Sequence, residues 1–301
     1  MNKTTTSLAD SNLSPITNKY DFTVYFYVKD GNPNGDPDSD NRPRLDDRTR
    51  HGEVTAECLR RKIRNYVEMA MDGKDGNDIF VRSGEILDGR SVYNNITEEV
   101  SKEVKSKLMK DVRPILYTRY FDIRAFGGML STGLFSGDPD GQLRGPVQFG
   151  MSRSIDPIDL QQITITRCCV TDKKDTEKER TMGGRWITPF GLYKVNGSIM
   201  VPYAEKSGFS EIDLNLLFDA ITNMFENDKS TGRPDMGVVK FVVFKHNSRL
   251  GSFPSWKLTE AVIAKKKDGV INPRDVNDYT ITIDETLRKQ LDGKVEIIEK
   301  I

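Results

Sequence analysis

Two stretches decide the fold: Tyr20-Asp21-Phe22-Thr23-Val24-Tyr25-Phe26-Tyr27-Val28, and Thr55-Ala56-Glu57-Cys58-Leu59-Arg60-Arg61-Lys62-Ile63-Arg64-Asn65-Tyr66-Val67. In the first, Phe22, Val24, Phe26 and Val28 alternate with other residues, which predicts a strand with one face in a core. In the second, Leu59, Ile63, Tyr66, Val67 and Ala70 recur at helical spacing, with Thr55 placed to cap the start. Arg60, Arg61 and Arg64 fall off that apolar stripe, and Arg60 and Arg64 are one turn apart. One helix therefore carries a core face and a basic face.

The two elements are joined by residues 30–51, a stretch dense in Gly, Pro, Asn and Asp. Such a long loop inside a compact domain is uncommon and is often functional. Downstream, residues 72–119 are more polar. They predict a helical insertion, including a helix capped by Thr97 with Val100, Val104 and Leu108 inward. Strand signals follow at Tyr120–Phe126, at Val147-Gln148-Phe149-Gly150-Met151 and at Ile163–Cys168. The run Asp172–Arg180 reads as a mobile charged loop. Asn196-Gly197, between Tyr193-Lys194-Val195 and Ser198-Ile199-Met200, predicts a tight hairpin. A helix from about Asp213 should bury Leu214, Leu217, Phe218, Ile221 and Phe225, with Ser210 and Asp213 at capping-box spacing. Val238–Phe244 reads as a buried strand and Thr280–Ile283 as another. The order follows the βαββαβ plan of ferredoxin-like and RNA-recognition domains, so the fold class expected is α+β. The aromatic signature with which RNA-recognition modules stack bases on their sheet is missing.

Composition narrows the function. Of 301 residues, 36% are hydrophobic and 30% charged, as in a polar globular protein. Lys+Arg and Asp+Glu are equal at 45 each, so any nucleic-acid footprint must be local. Cys58, Cys168 and Cys169 are too few for a disulfide framework and fit a reducing compartment. Neither a signal peptide nor a long apolar span is evident, so a cytoplasmic protein with no membrane contact is expected. Residues 1–19 are expected to be a disordered arm, and 20–301 a single domain.

No enzyme motif stands out. Neither histidine, His51 or His246, sits in a metal or triad pattern, and no phosphate-binding glycine loop of the nucleotide-binding classes is present. Asp36, Asp38, Asp40 and Asp47 echo a calcium loop, but Asn41 occupies the glycine place. Solvated carboxylates in a turn-rich loop are the better reading, and no metal or cofactor is expected. The basic signal is sharper. Between Arg42 and Arg64, eight Lys/Arg residues face four acids, an excess of four in a chain of zero net charge. Asp122-Ile123-Arg124-Ala125-Phe126-Gly127-Gly128-Met129-Leu130-Ser131-Thr132-Gly133 offers unshielded backbone N–H groups and two hydroxyls for phosphate. Arg144 precedes a further strand signal.

Taken in order, these segments resemble one family. They are Lys29–Asp38, Asn41-Arg42-Pro43-Arg44, Val54–Val67, Arg124-Ala125-Phe126-Gly127, Gly145–Phe149, Arg153–Ile158 and Thr181-Met182-Gly183. Together they are similar to the backbone subunit of type I CRISPR Cascade complexes, of the RAMP superfamily, most like the Csd-type branch of subtype I-C. The resemblance spans about Tyr20 to Phe244. It implies an RRM-like palm, a helical insertion near 72–119 and a thumb hairpin near 166–185. It implies a non-catalytic subunit that polymerises along CRISPR RNA and presents the guide to target DNA, with the protein holding backbone and shape. The partners implied are further copies of itself, a Csd-type large subunit and an RNA-processing RAMP subunit. Asn32, Asn34, Arg42, Arg44, Thr55, Arg60, Arg61, Arg64, Arg124, Gly127, Gly128, Ser131, Thr132, Arg144, Arg153 and Met182 are the RNA-binding residues it suggests. A metal-dependent ribonuclease of the same superfamily is the alternative, and a plain single-strand RNA binder a third.

Overall fold

Alternation along Tyr20–Gly31 does what it promises: Phe22, Val24, Phe26 and Val28 are fully buried on one side of a strand, and Tyr25 is buried on the other. The computed structural model describes residues 14–84, 109–130, 141–167, 181–291 and 293–301. In chain order the first half forms β1 (Tyr20–Gly31), β2 (Gly35–Asp36), β3 (Arg42–Pro43), β4 (His51–Val54) and α1 (Ala56–Met71). Next come α2 (Met109–Arg119), α3 (Phe121–Phe126), β5 (Gly127–Met129), β6 (Gln142–Arg144), β7 (Val147–Phe149), β8 (Ser152–Pro157) and β9 (Gln161–Arg167). The remainder is β10 (Thr181–Ile199), α4 (Val201–Ser207), α5 (Glu211–Asn223), β11 (Asp235–His246), α6 (Ser255–Glu260), β12 (Val262–Lys266), β13 (Tyr279–Ile283), α7 (Glu285–Gln290) and β14 (Val295–Glu299).

The main sheet runs β14-β11-β1-β10-β8-β4, with β7 and β9 also paired to β10. Its centre, β11-β1-β10-β8, with α1 after β1 and α5 before β11, is the ferredoxin-like βαββαβ arrangement, and the fold is α+β. One face of the sheet packs on the two helices. Phe22, Val24, Phe26, Tyr193, Val195 and Phe241 meet Leu59, Ile63 and Val67 of α1 and Leu214, Leu217, Phe218 and Ile221 of α5. The capping box of α5 forms as its spacing predicts, Ser210 and Asp213 each accepting from the other's backbone N–H.

The second face is the one an RNA-recognition module leaves open. Here Tyr25, Phe190, Leu192, Val242 and Phe244 are buried under Leu258, Val262, Tyr279, Ile283 and Leu287. Polar contacts pin this cover. The Tyr25 hydroxyl donates to the Val262 carbonyl at 2.7 Å, and Lys194 Nζ donates to the carbonyls of Thr259 and Val262 at 2.6 and 2.8 Å. The Tyr279 hydroxyl donates to Asp156 at 2.6 Å. At the edge of the cover, buried Asp21 accepts from His246 Nε2 at 2.8 Å. Ser252 N–H donates to His246 Nδ1 at 2.9 Å, which fixes a neutral imidazole protonated at Nε2. Burial alone would raise the Asp21 pKa, but hydrogen bonds from His246, Ser198, Lys19 and Ser255 outweigh it and hold the carboxyl well below its usual range.

Several expectations change. Order begins before Tyr20: Ile16 is buried, its N–H donates to the Phe209 carbonyl at 3.1 Å, and Pro15 bridges to Ser210. Within the expected arm of 1–19, Ile16 thus finds an apolar seat, while residues 1–13 lie outside the described residues. Residues 121–126 are a helix rather than a strand, buried on every side, so no exposed face enforces a period and tertiary packing chooses. The Asn196-Gly197 pair makes no turn, since β10 runs unbroken through it. A Cβ on Gly197 would lie 2.2 Å from Phe22 Cζ, so the glycine admits a ring from the neighbouring strand. Residues 280–283 do form a strand, but in a separate pair, β12–β13. Ala70 is exposed, and Lys62 takes a buried place on α1 instead. The helix expected around Thr97–Leu108, the charged run 172–180, and Ser131 and Thr132 lie outside the described residues, as does the side chain of Met182. Among the described residues no helix is long and apolar enough to cross a membrane.

Candidate nucleic-acid interface

Residues 30–51 fold into a finger rather than a slack loop. β2 pairs with β3, Gly35 opposite Pro43 and Asp36 opposite Arg42. Asn32 anchors the base: its N–H donates to the Gly232 carbonyl at 2.7 Å and its side-chain amide to the Asn41 carbonyl at 2.7 Å. Asp36 accepts from Asp38 N–H and the Ser39 hydroxyl, both at 3.3 Å, and pairs with Arg44 at 3.3 Å. Asp46 accepts from the backbone of Thr49 and Arg48, which lowers its pKa to about 2, and also meets Arg153. These carboxylates are thus occupied in shaping the finger. Among the described residues no three His, Cys, Asp or Glu side chains gather as a metal set.

The finger leads into the head of α1. Asn34 Oδ1 accepts from Thr55 N–H at 3.0 Å, and Thr55 Oγ1 accepts from Cys58 N–H at 3.2 Å. Asn32, Asn34, Thr55 and Arg61 line one open groove at this junction. Asn34 and Thr55 therefore build the groove as well as border it.

The arginines, alike in sequence, divide by partner. Arg124 is buried, and its guanidinium reaches Asp213 (shortest contact 2.6 Å), Asn77 (2.8 Å), and the carbonyls of Gly76 (3.0 Å) and Tyr117 (2.8 Å). It ties Gly76, Asn77 and Tyr117 to the cap of α5. Arg64 pairs with fully buried Asp122 at 2.7 Å, and Asp122 also accepts from the N–H groups of Phe80 and Val81. Arg60 donates to Gln148 at 3.0 Å, and its nearest carboxylate, Glu57, is 4.0 Å away. Burial lowers the Arg60 pKa, Glu57 opposing the shift and Arg64 adding to it. Arg61 donates to the Val81 carbonyl at 3.2 Å. Arg144 meets the Tyr203 hydroxyl at 2.9 Å on an exposed edge. Arg153 is bridged to Asp46 and Glu53.

Arg42, Arg48 and Arg50 are different. All three are exposed, and among the described residues no hydrogen-bond acceptor or carboxylate engages their side chains. Arg42 instead lies over the Trp186 ring, 4.2 Å from its centroid. Arg48, Arg50 and Trp186 were not among the residues the sequence singled out for RNA. The signal was present for the arginines, as the density of basic residues in the finger. For Trp186 nothing local marks the contact.

Gly127 and Gly128 sit in β5, paired with β6. Gly127 has φ +76°, and a Cβ there would lie 2.1 Å from the Leu143 carbonyl oxygen, so close backbone approach demands the glycine. β9 and β10 pair from Gln161–Ile187 to Arg167–Thr181, with Met182 opposite Thr166.

A family model described as CRISPR-associated protein Cas7 matches residues 18–284. The CRISPR-associated protein Cas7 of Haloferax volcanii is 26% identical over 239 residues, 73% of this chain and 67% of that protein. Among solved structures, a chain of a CRISPR RNA-guided surveillance complex is 13% identical, covering 84% of this chain and 77% of that one at a TM-score of 0.47. A chain of a pre-nicking form of such a complex is 12% identical, covering 75% of each at a TM-score of 0.47.

Proposed function

The chain belongs to the CRISPR-associated Cas7 family, the CRISPR RNA-binding backbone of surveillance complexes, and from that premise we propose how it holds its guide. The RNA backbone runs along the finger and the head of α1, at the edge of the sheet. Arg48 and Arg50 meet phosphates from the finger, and Arg60 and Arg61 from the helix, with Arg42 bordering the same path over Trp186. Asn32, Asn34 and Thr55 shape the groove, while Arg44, Arg64 and Arg124 brace it from within. Arg144 and Arg153, exposed but paired, are contacts of the outer rim, and the backbone at Gly127 and Gly128 with Ser131 and Thr132 is a further phosphate position. The thumb is the hairpin near 166–185, with Met182 towards its end.

The observation that carries this reading is the closed second face of the sheet, buried under residues 258–291. With that face covered, bases have no sheet to stack on, and the free cations point the guide to the edge. Phosphate contacts fix position without reading sequence, as a subunit serving any guide requires. We read the chain as nearest subtype I-C, a reading that the likeness of its motifs to that branch supports. The partners are then further copies of itself, a Csd-type large subunit, an RNA-processing RAMP subunit and target DNA, in the cytoplasm. The role is non-catalytic.

Co-expression with a CRISPR array and its processing subunit tests this. Small RNA of fixed length should travel with a multi-copy particle and stay intact in magnesium. An RNA-free monomer that degrades added RNA would overturn it.

A further inference from the structure

We propose that Arg42, held over Trp186, is a stacking platform for one unpaired base of the bound RNA. The inference rests on the RNA-binding reading above and adds a ligand chemistry to it. The contact is the tightest cation-to-ring approach among the described residues, 4.2 Å against 5.0 Å or more elsewhere. That separation fits a guanidinium stacked on an indole, attracted by the ring's negative face.

Three features make the pair a site rather than a brace. First, Arg42 is exposed and, among the described residues, no carboxylate or hydrogen-bond acceptor engages its guanidinium, which leaves it open to a ligand. Its neighbour Arg44 is instead turned into the finger by Asp36. Secondly, the pair is ordered from both ends: Arg42 lies in β3, beside buried Pro43, and Trp186 lies in β10 opposite Gln162 of β9. A side chain already held in place loses little freedom when a ligand arrives. Thirdly, the strand beside the ring is bare. Gly183 and Gly184 are exposed, and a Cβ on Gly183 would meet no atom within 4 Å.

Planar guanidinium groups and aromatic rings are the surfaces on which unpaired RNA bases stack. A base laid on Arg42 would extend the Trp186–Arg42 stack by one layer, and the guanidinium edge would remain free for the adjoining phosphate. The alternative is a plain charge contact to phosphate, for which the plane of the group is irrelevant.

The two differ in what lysine does. Full-length protein is titrated against a labelled single-stranded RNA and against the same strand with abasic nucleotides, read by anisotropy. Arg42→Lys keeps the charge and removes the plane. On the intact strand it should weaken binding about tenfold, as Arg42→Ala does. On the abasic strand Arg42→Lys and wild type should bind alike. In a Trp256→Phe background, which leaves Trp186 as the reporter, the intact strand should quench emission and the abasic strand should not. Wild-type affinity of Arg42→Lys for the intact strand, or equal losses on both strands, would reduce Arg42 to a charge contact. If wild type binds neither strand, the RNA-binding reading falls with it.

Discussion

Arg60, Arg64 and Arg124 show how little residue type says by itself. All three belong to basic or glycine-rich motifs, yet Arg124 spends every polar hydrogen bond inside the fold and Arg64 sits on a buried carboxylate. Removing one member of a buried, hydrogen-bonded pair strands the other, at roughly 3–5 kcal/mol. Arg124→Ala should therefore lower unfolding stability by about that amount in urea, by exposing Asp213 and Asn77 as orphans. If this variant unfolds like wild type and loses only RNA affinity, Arg124 belongs to the interface after all. What separated core from surface arginines was the partner brought by the fold: Asp122 lies 58 residues from Arg64 and Asp213 lies 89 from Arg124. No local pattern carries that information.

At the scale of elements, local chemistry was legible where it closes within a few residues. The alternation of β1, the stripe of α1 from Leu59 to Val67 and the Ser210–Asp213 box all formed as their spacing requires. Thr55 caps α1 with its hydroxyl accepting from Cys58 N–H, and Asn34 from the finger accepts from the N–H of Thr55 itself. Thr55→Ala should cost about 1 kcal/mol of stability, with Thr55→Ser close to neutral, in chemical denaturation. An unchanged stability on Thr55→Ala would mean that the hydroxyl is not holding the helix start. Local reading failed where a distant element intervened. Asn196-Gly197 has the composition of a turn, but Phe22 packs where the glycine has no side chain, and the strand continues. Residues 121–126 alternate like a strand, but burial on all sides leaves periodicity nothing to report.

In the molecule as a whole, the decisive feature is the layer formed by α6, β12, β13 and α7 over the sheet. It turns an open RNA-recognition face into a second core and leaves the finger and the head of α1 as the polar edge. The sequence hinted at this twice. The aromatic signature of base-stacking sheets is missing, and the basic excess is concentrated between Arg42 and Arg64. The cover itself was not readable, because short segments with modest periodicity acquire meaning only once the sheet beneath them exists. Lys+Arg and Asp+Glu are equal at 45 each over the whole chain, so the excess of four between Arg42 and Arg64 is a local feature of that edge.

Photo-crosslinking of the RNA-bound protein, mapped by mass spectrometry, tests this account most directly. Crosslinked peptides should come from residues 30–64 and from the start of β10 around Trp186. Crosslinks on Tyr25, Phe190 or Tyr279 would place the RNA on the sheet face, and would contradict the account at its centre.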